Sequence, residues 1–428
     1  MDSISVPRSS YEIIYEDLPT RDVTFKGGLV DHIHQWFRLT PSFSPKLVHY
    51  MKRLTDTGVE HKVLDPFSGA NTTVIECMKE GIDCVGVDVN PVFVKVGQAE
   101  IDWGLDVDRL EERYRELKFQ FERTVSSVDA LALQLFCEKY NVQIPKITRP
   151  EKWWRDDVLK RLLLIKKFVG QIDDDRERRF FSVGLLSKVV DLANVNRSHP
   201  TLTFCDRSDD SINVGVEVFS KYEVMIDDLK DAQKIKKPGR SQIVEGDSTK
   251  ICDLALTFKK FDRVFTSPPY PNRYSYVWET RPQLYFGDIF DKPCQAADLD
   301  IKTIGGTWGK ATSNLAKGIV EPEDINVAKI LESVCSEIRL KDNLMANYVM
   351  TYFNLLYLQI KSLREVLNEG AQCCYVVGNS RIKDVEVYTD ILLADLFVSL
   401  GYSVPKIVRV RKRLGRKNLY EAIVLAKK

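Results

Sequence analysis

The stretch VLDPFSGANTTVIECMKEGIDCVGVDVNP, residues 63–91, decides the fold. It reads as a short apolar run ending in Asp65, a glycine-containing turn, a helical pattern over 70–80, and a second apolar run, Cys84 to Asp88, that also ends in an acid. Pro91 then suits the first position of another helix. In open parallel sheets the ligand lies beyond the carboxyl ends of the strands, where turns expose backbone N–H groups and a helix N-terminus. An acid closing the second strand is well placed to accept hydrogen bonds from both hydroxyls of a ribose. On the residues alone, a nucleoside-containing cofactor and an ordinary strand–turn–helix with a surface aspartate are about equally good readings.

Outward from this stretch the same alternation recurs. Gln242 to Asp247, Arg263 to Thr266 and Gln372 to Val377 are further buried-strand candidates, and the segments after them at 248–257, 345–368 and 387–400 read as helices. Strands alternating with helices predict a parallel sheet covered on both faces. Tyr402–Arg413 and Leu419–Ala426 read as a closing antiparallel pair joined around Gly415. Between about 103 and 240 strand-like runs nearly vanish, and charged amphipathic stretches such as LEERYRELKFQFERTVSSVDALALQLF (110–136) predict a mostly helical insertion. The irregular stretch 288–342, with GGTWGK at 305–310, is a second candidate for loops over a site.

Composition sets the class. The 428 residues, 44% of them hydrophobic, suffice for a large buried core. With 62 Lys+Arg against 61 Asp+Glu, no overall field draws the chain to polyanions, so any nucleic-acid contact must come from local patches. The nine cysteines are scattered without CxxC pairs, as reduced core thiols are, which points to the cytoplasm. The N-terminus MDSISVPRSSYEIIYEDLP lacks the form of a secretion signal, and no window approaches the length of a membrane span.

The second informative segment is FDRVFTSPPYPNRY (261–274), a strand followed by two prolines. Proline fixes φ and donates no backbone hydrogen bond, so the carbonyl before it is held in place as an acceptor. An exocyclic amine of a base needs such acceptors, because its lone pair is delocalised until its two N–H groups are drawn toward a tetrahedral geometry. Ser267 and the carbonyl of Pro268 would supply them, and Tyr270 a stacking face. A bare PPY is more often a rigid turn, but downstream of DPFSG that reading recedes.

DPFSGANTT (65–73) resembles the DPFxGxGTT motif of the amino-directed S-adenosylmethionine-dependent DNA methyltransferases, GVDVNP (86–91) resembles their next motif, and TSPPY (266–270) resembles their (Ser/Asp/Asn)-Pro-Pro-(Tyr/Phe) motif. Asn71 departs from the pattern where the family often has Gly, and Asn is the non-glycine residue that best tolerates a left-handed backbone. The resemblance covers about 43–102 and 241–428 and fails over 103–240. It implies a class-I methyltransferase fold, Rossmann-like: a seven-stranded, mostly parallel sheet with an antiparallel end strand. Residues 1–102 and 241–428 would form the methyltransferase domain, and 103–240 a mostly helical inserted lobe that reads the DNA sequence. WWRDDVLKR (153–161) and NVNRSHPTLTF (194–204) are the segments within it that mix aromatic, basic and small polar residues.

For the cofactor, S-adenosylmethionine, the resemblance implies Asp65, Phe67, Gly69 and Thr72 around the methionine part and Asp88 on the ribose. It further implies Asp247 on the adenine amine, Ser44 in FSPKLVHYMKRL (43–54) near the carboxylate, and Thr266 beside the loop. VVGNS (376–380) would close the fifth strand. Ser267, Pro268, Pro269 and Tyr270 would be catalytic. Within the family Ser at the first loop position usually accompanies transfer to N4 of cytosine, with N6 of adenine the alternative. The expected partner is double-stranded DNA, with a restriction endonuclease acting separately and no membrane. An RNA base methyltransferase and a DNA-binding subunit without turnover are the competing classes. KPCQ (292–295) follows no strand and is not read as the attacking-cysteine loop of C5-cytosine enzymes. The five histidines show no zinc spacing, and the basic run PKIVRVRKRLGRK (405–417) reads as a strand with one charged face.

Overall fold

Runs of β-branched and apolar residues bounded by turns form the sheet. In a computed structural model, residues 11–428 are described apart from 29, 40, 41, 198–200, 209, 210, 307–309 and 414–418. The strands are β1 (Glu12–Tyr15), β2 (Lys62–Asp65), β3 (Asp83–Asp88), β4 (Val195–Asn196), β5 (Thr203–Phe204), β6 (Ser241–Glu245), β7 (Phe261–Thr266), β8 (Leu367–Gly378), β9 (Ser380–Ile382), β10 (Val385–Val387), β11 (Ser403–Lys412) and β12 (Tyr420–Lys427). Eight of them build one sheet in the order β1-β11-β12-β8-β7-β2-β3-β6. The neighbours β8-β7-β2-β3-β6 run parallel, and β12, the last strand of the chain, is antiparallel to both β8 and β11. This is the class-I methyltransferase order.

An eighth strand joins the seven that were expected. EIIY at 12–15 is too short to announce itself, and it is held by parallel pairing with Lys406–Arg409 of β11. The segment after β6 also differs from expectation. Instead of a helix over 248–257 it forms two short 3-10 turns within Ser248–Asp253, separated by a kink at Lys250 (φ −126°, ψ 33°). The join around Gly415 lies outside the described residues.

Period-two alternation sorts the central strands onto two cores. Val63, Cys84, Phe265 and Cys374 pack with the helices Pro45–Leu54 and Thr72–Lys79, and their neighbours Leu64, Val85, Val264 and Cys373 pack with the long helix Asn343–Glu365. Five of the nine cysteines are buried.

Between 103 and 240 the chain forms the helices Val107–Asp129, Leu133–Tyr140, Asp156–Gly170, Asp175–Val189 and Val214–Ala232, a single turn at Pro150–Trp153, and the β4–β5 hairpin. Its core, with Trp153, Trp154, Phe181 and Tyr222, is continuous with Ile33, Trp36 and Leu39 before β2 and with Val277, Leu284 and Phe286 after β7. Asp228 explains the first junction: its buried carboxylate accepts from the Ile33 backbone N–H (2.8 Å) and from the Trp36 indole (2.9 Å). Trp153 and Trp154 therefore belong to the interior, not to a nucleic-acid surface. No helix among the described residues is long and apolar enough to cross a membrane.

Candidate functional site

The turn after β2 is built by two left-handed residues, Gly69 (φ 46°) and Asn71 (φ 57°), the second of which opens the helix Thr72–Lys79. Asp88, at the end of β3, fixes this turn. Its Oδ2 accepts from the Gly69 N–H at 2.9 Å and its Oδ1 from the Asn90 N–H at 2.8 Å. On the next strand, β6, the chain continues into Asp247, whose Oδ1 caps the following turn through the Thr249 N–H at 2.9 Å. Parallel pairing of Asp88 with Glu245 brings the ends of β3 and β6 together at the sheet's carboxyl edge, where Asp88 and Asp247 line one cleft.

A cleft opens there. Phe67, Gly69, Asp88, Asp247, Ser267 and Pro269 line it, six of the twelve residues singled out in the sequence. The other six stand elsewhere. Asp65 and Thr266 are buried beneath, where the Thr266 hydroxyl donates to Asp65 Oδ1 at 2.6 Å. Ser44 caps its helix by accepting from the Lys46 N–H and is fully buried against Gly27, where an added Cβ would lie 2.2 Å from its oxygen. Thr72 faces a neighbouring recess that shares only Leu39 with the cleft. Pro268 is buried, and the Tyr270 ring packs on Gly378, where a Cβ would come within 2.7 Å of it.

Residues that the motifs did not single out complete the walls: Leu39, Asn90, Phe93, Tyr276 and Lys302–Ile304. Asn90 sits inside GVDVNP and was readable there. Its amide donates to Thr280 at 2.9 Å, tying the cofactor motif to the helix Tyr276–Phe286 that follows the SPPY loop. Lys302–Ile304 come from the irregular stretch. Two tyrosines of the long helix, Tyr348 and Tyr352, underlie the loop: the Arg273 N–H donates to Tyr348 Oη (3.1 Å), and Tyr352 donates to the Pro269 carbonyl (2.7 Å). They stand four apart and so share a helix face, the signal that could have found them.

Burial governs the electrostatics. It pushes Asp65 and Asp88 each up to about 6, opposed for Asp65 by the Thr266 hydroxyl and for Asp88 by the Asn90 and Gly69 N–H groups. Burial also raises the Tyr270 hydroxyl, while Ser267, beside it, draws it back. Two arginines of the basic strand are spent on structure: Arg409 donates to buried Asp390 (2.9 Å) and Arg411 grips Glu421. His34 bonds buried Glu76 at 2.8 Å.

The donor set suits S-adenosylmethionine. Two carboxylates at adjacent strand ends offer acceptors for hydroxyls and an amine, Phe67, Phe93 and Ile304 offer apolar faces, and the glycine turn admits backbone at close range.

No protein-family model matches the chain. It is 22% identical to the Type II methyltransferase M.MvaI of Kocuria varians, over 84% of this chain and 78% of that protein. It is 20% identical to the Type II methyltransferase M.AvaI of Nostoc sp., over 92% and 84%, and 21% identical to M.MjaII of Methanocaldococcus jannaschii, over 68% and 67%. Among solved structures, TrmN from Thermus thermophilus aligns with a TM-score of 0.32 at 10% identity, covering 92% of this chain and 52% of that one. The relatives imply S-adenosylmethionine as methyl donor. With its motifs and its sheet order, the chain is a homologue of the Type II methyltransferases, in keeping with the amino-directed DNA methyltransferase family.

Proposed function

We propose that the chain is a DNA methyltransferase that modifies N4 of a cytosine swung out of the double helix, as the modification half of a restriction or phage-defence system. The observation that carries this reading is that Ser267 and Pro269 of the SPPY loop line the same cleft as Asp88 and Asp247. The names of the relatives as Type II methyltransferases support it.

Asp88 would hold the ribose hydroxyls, Asp247 the adenine amine, and Phe67 and Ile304 the faces of the cofactor. S-adenosylmethionine supplies an electrophilic methyl group on a sulfonium. The chain's part is to make the target nitrogen nucleophilic and to place it. The Ser267 hydroxyl and the Pro268 carbonyl accept from the exocyclic amine, which localises its lone pair. As the nitrogen–carbon bond forms and the sulfur–carbon bond breaks, the amine loses one proton to solvent. Tyr276 is the tyrosine facing the cleft, and Tyr270, braced on Gly378, borders the loop beside Ser267. Extruding the base is required because the amine is inaccessible inside the duplex. The inserted lobe, whose β4–β5 hairpin meets the helix that follows the SPPY loop, is the part that reads sequence.

Nucleoside mass spectrometry of DNA and RNA from cells expressing the protein tests this. N4-methylcytosine in DNA, reduced with Ser267→Ala, is the expected result. N6-methyladenine instead would overturn the base assignment, and modification confined to RNA would overturn the substrate class.

A further inference from the structure

Asn71 occupies the turn in an unusual way. It opens the helix Thr72–Lys79 from a left-handed conformation, yet its side chain makes no capping bond. It turns inward and is fully buried, its Nδ2 donating to Glu100 Oε2 at 3.0 Å and to the Phe93 carbonyl at 3.4 Å. The facing helix, Pro91–Glu100, is hollowed for this amide: a Cβ on Gly97 would lie 2.6 Å from both Nδ2 and Oδ1. Asn71 Oδ1 itself is buried without a hydrogen-bond partner. Glu100 is equally buried, at 1% exposure.

These facts are complementary. A buried acceptor without a donor is costly, and so is a buried carboxylate without a cation. A protonated carboxyl carries one O–H donor beside its carbonyl acceptor, and an amide carries the reciprocal pair. We propose that Glu100, as a neutral carboxylic acid, is a positioning residue that returns a hydrogen bond to Asn71 Oδ1 and so clamps the Gly69–Asn71 turn in its left-handed form. The clamp does for asparagine what glycine does without help, since only glycine enters this region at no steric cost.

The surroundings agree with a neutral acid. Burial pushes the Glu100 carboxyl up to about 8, and the Asn71 side chain acts against that push; among the described residues no Lys, Arg, His or second carboxylate contributes. The Trp103 indole donates to the Glu100 backbone carbonyl at 2.8 Å and not to the carboxyl. Ionisation would leave two acceptors facing each other beneath the turn whose Gly69 N–H is bonded to Asp88. The consequence for the cofactor rests on the reading of Asp88 and Gly69 as its site.

Titration calorimetry with S-adenosylmethionine from pH 6.5 to 9.5, together with thermal melting of the cofactor-free protein, tests the clamp. If only the neutral form is competent, wild-type affinity at pH 9 is about tenfold weaker than at pH 7. Glu100→Gln, whose amide pairs with Asn71 at every pH, abolishes that alkaline loss. Glu100→Leu weakens binding throughout, and Asn71→Gly combined with Glu100→Leu restores it to within about threefold, because glycine needs no clamp. The sign for stability follows from linkage: a folded pKa above the unfolded value of 4.5 means that stability falls between about 4.5 and about 8. The melting advantage of Glu100→Gln therefore grows across that window. Glu100→Gln retaining the full alkaline loss, or Glu100→Leu binding and melting like wild type, overturns the proposal. Wild type that binds no S-adenosylmethionine at any pH would sink the cofactor reading instead, and the melting series would still read the clamp.

Discussion

The hydroxyl of Tyr352 donates to the backbone carbonyl of Pro269 at 2.7 Å. Tyr352 is 1% exposed and stands in the middle of the long helix Asn343–Glu365, so the second proline of the SPPY loop is pinned to a buried helix that packs on the sheet. With Tyr348 accepting from the Arg273 N–H, two consecutive turns of one helix hold both sides of Tyr270.

Tyr352→Phe keeps the ring and removes the bond. One neutral hydrogen bond contributes about 0.5–1.5 kcal/mol net, so stability changes little while the loop loses its anchor. The methyl-transfer rate in a single turnover falls several-fold and cofactor affinity stays within twofold. An unchanged rate would mean that the prolines alone fix the loop.

Asp88→Ala removes the carboxylate that braces the turn and faces the cleft. Two hydrogen bonds to a charged acceptor, at roughly 1.5–3 kcal/mol each before water compensates, correspond to at least a tenfold loss of cofactor affinity. Because burial lifts Asp88 to about 6, the acceptor is neutralised as pH falls through that value. Wild-type affinity therefore drops below about pH 6. Asp65 titrates in the same range and acts on Asp88, so the midpoint belongs to the pair. Calorimetry at pH 5 and 7.5 on wild type and Asp88→Asn checks this, and a wild type as tight at pH 5 as at 7.5 would refute it.

The first two strands of the parallel set were legible because each is an apolar run closed by an acid. KVLD and CVGVD have the expected bounds to within one residue. The strand β1 was not, since EIIY draws its stability from pairing with β11 rather than from its own pattern. At the site, residues lying in motifs and projecting from strand ends were found: Phe67, Gly69, Asp88, Asp247, Ser267 and Pro269. Spacing identifies a motif without saying which of its side chains turn inward, so Asp65, Thr72 and Thr266 share the motifs and miss the cleft. Tyr276 and Lys302–Ile304 arrive by tertiary packing alone. The pair Trp153–Trp154 read as a mixed surface because burial of an aromatic beside Arg155 and Asp156 is decided by neighbours distant in sequence, Phe204, Trp278 and Phe286 among them.

Glu279, on the helix that follows the SPPY loop, ties that helix to the β4–β5 hairpin. Its carboxylate accepts from the Leu202 N–H at 2.8 Å while the Trp278 indole donates to the Leu202 carbonyl at 3.2 Å, so one residue before β5 is held through both backbone groups. Glu279→Ala leaves a buried N–H unpaired and frees the hairpin. DNA affinity should fall, or discrimination between sites loosen, by five-fold or more, with cofactor affinity unchanged; filter binding on specific and random duplexes measures both. A Glu279→Ala protein that binds each duplex as wild type does would show that the hairpin takes no part in recognition.

Ser267→Ala tests the chemistry itself. If the hydroxyl accepts from the target amine as the lone pair localises, its loss lowers the single-turnover rate by ten-fold or more and leaves cofactor and DNA affinity nearly intact, because only interactions strengthened in the transition state act on turnover. Tyr276→Ala separates the two stages. Removing the aromatic that faces the cleft takes away roughly 1–3 kcal/mol of base stacking, by analogy with single-strand binding sites, so capture of the extruded base weakens along with the rate. Tyr270→Ala opens a void against Gly378 and disturbs Ser267, so it slows the chemistry as Ser267→Ala does. Fluorescence of 2-aminopurine at the target position reports extrusion independently of transfer. A Ser267→Ala protein with full single-turnover rate sinks the role of the loop, and a Tyr276→Ala protein that extrudes the base as well as wild type leaves Tyr270 as the stacking face.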